Sequence, residues 1–354
     1  MRNKKVKPVA IDLCCGAGGL TLGLKRAGFN VIAGVEFKSE IAHTYSTNHP
    51  EVELFIDDIR NLSGKDFLKL VPTSTIDLVA GCPPCQGFSK LTDKYHRNDP
   101  RNDLVLEMAR LIEEIQPKMV MFENVSGIVT RGKEILDEFI LRLEELDYVI
   151  NMDVLQLADY GVPQSRRRFV LLAGKGFSVP LPPKTHSNKM NSQLKPWPTL
   201  SDIIGKMGQA VTISEANAKG GPQKFNWHVV RDITELSRKR YRSLKPGCNR
   251  FDLPDTLRPN CHKGNNSGFR NVYGRISWDQ TPPTMTTGFA TPCKGRFGHP
   301  DEIRTLSVLE AAKIQTFPSS YRFETNSLDV ATDLVGNGLP PQFAFTLAKR
   351  CFKS

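Results

Sequence analysis

Residues 81–89, GCPPCQGFS, decide how the chain is read. The apolar run just before them, IDLVA (76–80), has the length and texture of a buried parallel strand, and GCPP is the turn that ends it. Pro83 and Pro84 each fix their own φ and push the preceding residue toward extended geometry, so the turn is stiff. It presents Cys85 at the C-terminal edge of a strand, where open α/β sheets place their ligands. Cys82-Pro-Pro-Cys85 admits other readings besides a nucleophilic Cys85, a purely structural cysteine among them. A redox C-x-x-C normally opens a helix, whereas these residues stay turn-like through Gln86-Gly87. A zinc site needs a second ligand pair, and Cys14, Cys15, Cys248, Cys261, Cys293 and Cys351 form no further C-x-x-C, so no metal is expected.

The 354 residues suffice for one large domain and a smaller one, and 39% hydrophobic with 24% charged residues is an ordinary globular mix. With no signal-peptide pattern and no 18-residue apolar stretch, neither export nor a membrane span is expected. Eight unpatterned cysteines fit reduced thiols in a cytoplasm-like compartment. The net charge of +11 is unevenly placed. Residues 175–300 hold 20 Lys and Arg against 7 Asp and Glu, a net +13, while the rest holds 28 against 30. Such a basic third is the footprint of a segment that lies on a polyanion, although a basic solubilising surface has the same composition.

From the N-terminus, PVAIDLCC (8–15) predicts a strand, GAGG a Gly-rich turn, and Thr21–Ala27 a helix that Gly28 ends. Thr21 stands where the dinucleotide fingerprint needs its third glycine, so pyrophosphate binding is not implied. NVIAGVE (30–36) predicts a strand ending in Glu36, placed to hold both hydroxyls of a ribose, which points to adenosine. VELFID (52–57) predicts another strand, ending next to Asp58. The polar stretch 89–102, with Lys90, Lys94, Arg97 and Arg101, reads as a cationic lid. A helix follows over Asp103–Ile115, then the buried strand MVMFENV (119–125) and an amphipathic helix over Gly132–Leu146. In GVPQSRRRFVLLAG, strand alternation predicts Gln164, Arg166 and Arg168 on one face. Prolines 180, 182, 183, 196 and 198 mark a linker into the basic third, whose SRKRYR (237–242) and NCHKGNNSGFRNVYGR (260–275) are the candidate polyanion-facing pieces. Ser307 with Glu310 is a capping-box start for a later helix.

In order and spacing these motifs resemble the cytosine-C5 DNA methyltransferases, bacterial or phage type, over residues 9–173 and 304–348. The resemblance implies an α/β fold: a Rossmann-like, mostly parallel sheet with helices on both faces and a second, smaller, irregular target-recognition domain. It implies a catalytic domain of residues 1–184 plus 334–354, a target-recognition domain of 185–303 and a hinge of 304–333. S-adenosylmethionine would be the cofactor. Contacts to it are expected around the first turn from Asp12, Gly16, Gly18 and Gly19, on the adenosine from Glu36, Phe37, Asp58 and Ile59, and further from Leu104 and Asn337. Cys14 replaces the family's usual Phe and Gly338 its usual Ser. Cys85, Glu123, Arg166 and Arg168 carry over as catalytic residues. DNA contacts are expected from Ser89, Arg97 and Arg101 in the lid, from Gln164, and from Arg240, Arg242, Arg270 and Arg275 in the basic third.

The implied reaction adds the Cys85 thiolate to C6 of a flipped-out cytosine, with Glu123 at N3 and Arg168 at O2. The partner is duplex DNA, with a monomeric, cytoplasmic, nucleoid-associated enzyme and a cognate restriction endonuclease acting in the same system. A related tRNA methyltransferase is the nearest alternative; the large basic insert and CQGFS, where tRNA-modifying relatives usually have CQPFT, speak against it. A silent DNA-binding module and a nicotinamide oxidoreductase stand as alternatives of other classes. If the basic third neutralises phosphates, a fluorescence-anisotropy titration across salt will give log affinity falling with log salt by about 0.9 per phosphate.

Overall fold

In the computed structural model, which describes residues 7–72, 75–84, 103–189, 192–263 and 271–353, the chain divides into two compact units. The first comprises residues up to Tyr160, Arg167–Thr185 and the stretch from Leu339 onward; the second comprises Gly161–Arg166 and His186–Gly338.

The first unit is built in the order β1 (Val9–Leu13), α1 (Gly19–Ala27), β2 (Asn30–Val35), α2 (Ser39–Asn48), β3 (Glu53–Phe55), α3 (Gly64–Leu68), β4 (Leu78–Gly81), α4 (Leu104–Ile115), β5 (Met119–Val125), α5 (Lys133–Glu145), β6 (Tyr148–Gln156) and β7 (Arg167–Lys175). Its seven strands lie in the order β3-β2-β1-β4-β5-β7-β6. Pairs among β1 to β5 are parallel, and β7 runs antiparallel to both β5 and β6. A mixed α/β fold with a mainly parallel sheet is what the motif order predicts.

Strand periodicity sorts the side chains into two sets. Ile11, Leu13, Val79, Val120, Phe122, Phe169 and Leu171 point into one core with Met108 and Ile112 of α4 and Phe139 and Leu143 of α5. The alternate residues, Asp12, Ala80, Met121, Glu123 and Arg168, face the other way. Three ionisable side chains therefore share one face of a sheet whose opposite face is apolar.

Between Lys175 and the C-terminus the chain forms α6 (Leu200–Ile204), α7 (Ile213–Ala218), α8 (Glu235–Arg242), α9 (Val308–Ile314) and α10 (Leu328–Asn337), all in the second unit, and α11 (Pro341–Lys353), which belongs to the first. Among the described residues the second unit's only strands are two-residue ladders, so long loops carry most of its backbone. Ser307 caps α9 with the expected box: its side chain accepts from the Glu310 N–H at 3.1 Å, and Glu310 accepts from the Ser307 N–H at 2.7 Å.

In the first unit α11 packs on α1 through a glycine contact. A Cβ on Gly23 would lie 2.4 Å from the Ala344 Cβ and 2.7 Å from the Phe345 backbone nitrogen, too close for either helix to stay where it is. Gly23→Ala is therefore expected to destabilise the protein by about 1–3 kcal/mol, the usual cost of overpacking, in equilibrium chemical denaturation.

Candidate active site

Cross-strand register assembles the site. In the antiparallel pair β5·β7, Glu123 faces Val170 and Val125 faces Arg168, so Glu123 and Arg168 are diagonal neighbours on one face, within reach of long side chains. Arg168 Nε lies 3.0 Å from Glu123 Oε1, and the side chains are 15% and 8% exposed. The N–H is not aligned on that oxygen, so the contact is a close ion pair and not a formed hydrogen bond. Burial pushes the Arg168 pKa down, and the Glu123 charge offsets part of that shift. A second guanidinium nitrogen, Nη1, donates to the Arg167 carbonyl at 2.8 Å.

The turn entering GCPPCQ is tied to the residue that follows Glu123. Asn124 Nδ2 donates to the Pro83 carbonyl at 3.2 Å, and the Cys82 N–H donates to the Leu13 carbonyl at 3.3 Å. Cys85 itself, with the lid residues Ser89, Arg97 and Arg101, lies outside the described residues, as does Arg270.

The Gly-rich turn lies at the end of β1 in the same sheet. Cys14 takes a left-handed φ of 61°, Gly16 54° and Gly18 83°, and Gly19 opens α1. Glu36 ties the turn to the end of β2: Oε2 accepts from the Gly16 N–H at 3.0 Å and Oε1 from the Lys38 N–H at 2.9 Å. Burial raises the Glu36 pKa, and these two donors work against that rise. Phe37 next to it is 69% exposed, an unusual setting for a phenyl ring. Beyond the short β3, Asp58 does not end the strand; it caps a single turn, Ile59–Asn61, accepting from the Arg60 N–H at 3.0 Å. Ile59 is buried, and Leu104 is half-buried at the start of α4. Asn337 is exposed at the end of α10, in the second unit.

Several side chains behind the turn carry no motif that marks them as site residues in the sequence. Thr21, in the place of the missing glycine, donates to Asp12 Oδ2 at 2.6 Å and lies 2.8 Å from the Tyr45 hydroxyl. His49 Nε2 is 3.2 Å from the Gly18 carbonyl, and its Nδ1 is 3.2 Å from Lys25 Nζ. Burial, helped by the Lys25 charge, pushes His49 down to about 4, so the neutral ring donates from Nε2 to Gly18 and accepts from Lys25. The departure at Thr21 is the only sequence signal of this network.

Three of the residues expected to contact DNA are engaged by partners within the protein. Gln164 is fully buried in the second unit, accepting from the Met285 N–H at 2.9 Å and donating to Gln315 Oε1 at 2.7 Å. Gln315 in turn donates to the Val335 and Gly338 carbonyls at 2.6 and 3.1 Å. Arg275 gives its guanidinium to the carbonyls of Tyr241, Leu244, His299, Pro300 and Glu302. Arg240, also buried, donates to the Leu257 carbonyl and the Tyr273 hydroxyl and stacks 4.7 Å from the Tyr273 ring centroid. The two arginines thus pin irregular loops whose carbonyls have no sheet partners, and Gln164 links Met285 to Gln315. Arg242 is exposed and paired only at the surface, with Glu235 at 2.8 Å. Nor do Gln164, Arg166 and Arg168 share a strand face: β7 starts at Arg167, and Arg166 is buried in the second unit.

Among the described residues no His, Cys, Asp and Glu cluster is placed to hold a metal ion, and no helix is long and apolar enough to cross a membrane.

Comparison with known proteins gives a consistent picture. The family model for C-5 cytosine-specific DNA methylases matches residues 9–353. The type II methylase M.HgiDII of Herpetosiphon aurantiacus is 34% identical over 345 residues, which cover 96% of this chain and 93% of that protein. The type II methyltransferase M1.HphI of Haemophilus parahaemolyticus is 33% identical over 352 residues, covering 97% and 86%. A crystal structure described as a DNA modification methyltransferase encoded within an E. coli prophage shares the fold, with a TM-score of 0.73 at 23% identity over 98% of this chain and 99% of that one.

The fully buried Asp12 has one carboxyl oxygen, Oδ1, without a hydrogen-bond partner, and burial pushes its pKa from 3.8 up to about 7 against the pull of Thr21. Between those values the folded chain holds a proton that the unfolded chain has lost. Stability from this group is therefore present below the lower value and lost as pH rises to the upper one, by something of the order of 4 kcal/mol. Asp12→Asn should remove that loss, so urea denaturation at pH 5 and pH 8 will show the variant gaining on the natural protein at the higher pH.

Proposed function

The chain belongs to the C-5 cytosine-specific DNA methylases, enzymes that use S-adenosylmethionine, and we propose that it methylates C5 of one cytosine within a specific duplex sequence, using Cys85 as nucleophile and Glu123 as proton donor. The observation that carries this reading is the buried Glu123–Arg168 pair beside the Cys82-Pro83-Pro84 turn, from which Cys85 is the next residue.

The residues of the first unit fit the cofactor. Each oxygen of Glu36 has accepted one backbone N–H and keeps a lone pair for a ribose hydroxyl, Phe37 offers an open ring face to adenine, and a Cβ at Gly16 would meet nothing within 4 Å. Bound there, the cofactor supplies a methyl group on a cationic sulfur. Asp58 and Ile59 are proposed to border the adenine, with Leu104 and Asn337 as further contacts.

A target base stacked in a duplex is out of reach, so it must be flipped, at a cost of a few kcal/mol. The Cys85 thiolate then forms a bond to C6, and electron density from the C5–C6 double bond moves toward N3, which takes the proton that the Glu123 carboxyl group carries into the complex and leaves a carboxylate beside Arg168. Arg168 holds the Glu123 carboxylate and offers donors to O2, as electrostatic stabilisation of the developing charge requires. C5, now enamine-like, accepts the methyl group as its bond to the cationic sulfur would break; loss of the C5 proton to a base then expels the Cys85 sulfur as thiolate and restores the double bond, and N3 returns its proton to Glu123. Exposed cations of the second unit, Lys239, Arg242 and Lys245 among them, are proposed to meet phosphates, which sets affinity, while base edges set sequence. The relatives' names as type II methyltransferases favour DNA over tRNA and support a companion endonuclease.

The test is a tritiated methyl donor with duplex DNA and with tRNA, followed by bisulfite sequencing of the DNA product. Label in DNA, at cytosines in one sequence, and none with Cys85→Ser supports the reading; label in tRNA alone overturns it. Glu123→Gln is expected to lower the single-turnover rate by about 10²–10⁴-fold while cofactor binding persists.

A further inference from the structure

The register that brings Glu123 to Arg168 also delivers a third side chain to the same place. β4 and β5 run parallel with Gly81 opposite Phe122, so the next residues, Cys82 and Glu123, are lateral neighbours whose side chains leave the sheet on one face. The Asn124 amide on the Pro83 carbonyl carries that pairing past the end of β4, while the Cys82 N–H on the Leu13 carbonyl continues the pairing with β1 on the other side. The Cys82 thiol therefore lies beside the Glu123 carboxyl group, whose charge is among the causes that raise the thiol pKa.

We propose that Cys82 is a positioning residue, whose S–H donates to the Glu123 carboxylate and, with Arg168 on Oε1, stops that carboxylate from turning away from the target base. This role rests on the reading that Glu123 is the proton donor. A carboxylate at a strand end can rotate about its last torsion, and Arg168 alone, poorly aligned with Oε1, does not fix it. A donor just past β4 and another from β7 hold it from both sides.

The chemistry of the thiol suits the task. Burial, then the neighbouring carboxyls of Glu123 and Asp12, push the Cys82 pKa well up, so the proton stays on sulfur throughout the working pH range. Cys82 is then a permanent donor that does not compete with Cys85 as a nucleophile, which divides the two cysteines of C-P-P-C between two tasks.

Ser keeps a donor at this position, Ala removes it, and Val removes it while filling the volume. Under saturating duplex DNA and cofactor, Cys82→Ala and Cys82→Val are expected to slow single-turnover methylation by about 10–100-fold, as a small misplacement of a reacting group does, with Kd for DNA and cofactor unchanged. Cys82→Ser should recover most of that rate. A packing role would treat Ser and Ala alike, because both leave a similar void. Equal rates for the Ser and Ala variants, or a loss confined to binding, would overturn the proposal, and the comparison of Ser with Val decides in the same way if Ala proves unstable. Should the natural chain methylate no DNA at all, the proposed function itself fails; an active natural chain with indifferent Cys82 variants sinks only the role of Cys82.

Discussion

A carboxylate moved out of water at the end of a strand costs several kcal/mol unless a cation or donors accompany it, and the active-site face of this molecule is organised by that requirement at Glu123. The answer is geometric. An antiparallel strand, β7, joins an otherwise parallel arrangement so that Arg168 crosses diagonally to Glu123, while parallel β4 brings its turn alongside. One reversed strand thus sets the local charge balance, and the apolar opposite face supplies the rigidity that holds the pair still.

A second constraint acts at the Gly-rich turn. Three alternate left-handed positions, Cys14, Gly16 and Gly18, leave the backbone close to whatever binds there, and this conformation is held from beneath by polar side chains. Thr21, Tyr45 and Asp12 form a buried chain of hydrogen bonds, and neutral His49 holds the Gly18 carbonyl. Buried polar groups of this kind are tolerable only when satisfied, so the orphan oxygen of Asp12 goes with a carboxyl that keeps its proton up to about neutral pH.

Much of this is legible in the amino-acid order. Short apolar runs with polar or turn residues at their ends place β1, β2, β4 and β5, and Ser307 with Glu310 places the start of α9, because these signals are local. Glu123 and Arg168 are legible as polar residues that interrupt or precede apolar strands. What the sequence hides is partnership at long range. Arg240 and Arg275 count toward a basic segment in the same way as Arg242, yet two are consumed by carbonyls of loops far along the chain while the third meets solvent. Gln164 reads as part of a strand face only when alternation is extended three residues too far; the strand begins at Arg167, and the amide turns inward to Gln315. Counting charge or period does not say which side chains face inward when irregular backbone leaves carbonyls unpaired.

The packing of α11 on α1 sets an order of events during synthesis. The helix that follows the first strand must wait for its neighbour until about 300 further residues have left the ribosome, which at ordinary elongation speeds takes roughly 15–60 s. Over that interval the groove around Gly23 is bare, and a nascent chain can hold its first turn only loosely. The first helix of the sheet unit thus gains its closest neighbour only when the last helix is made.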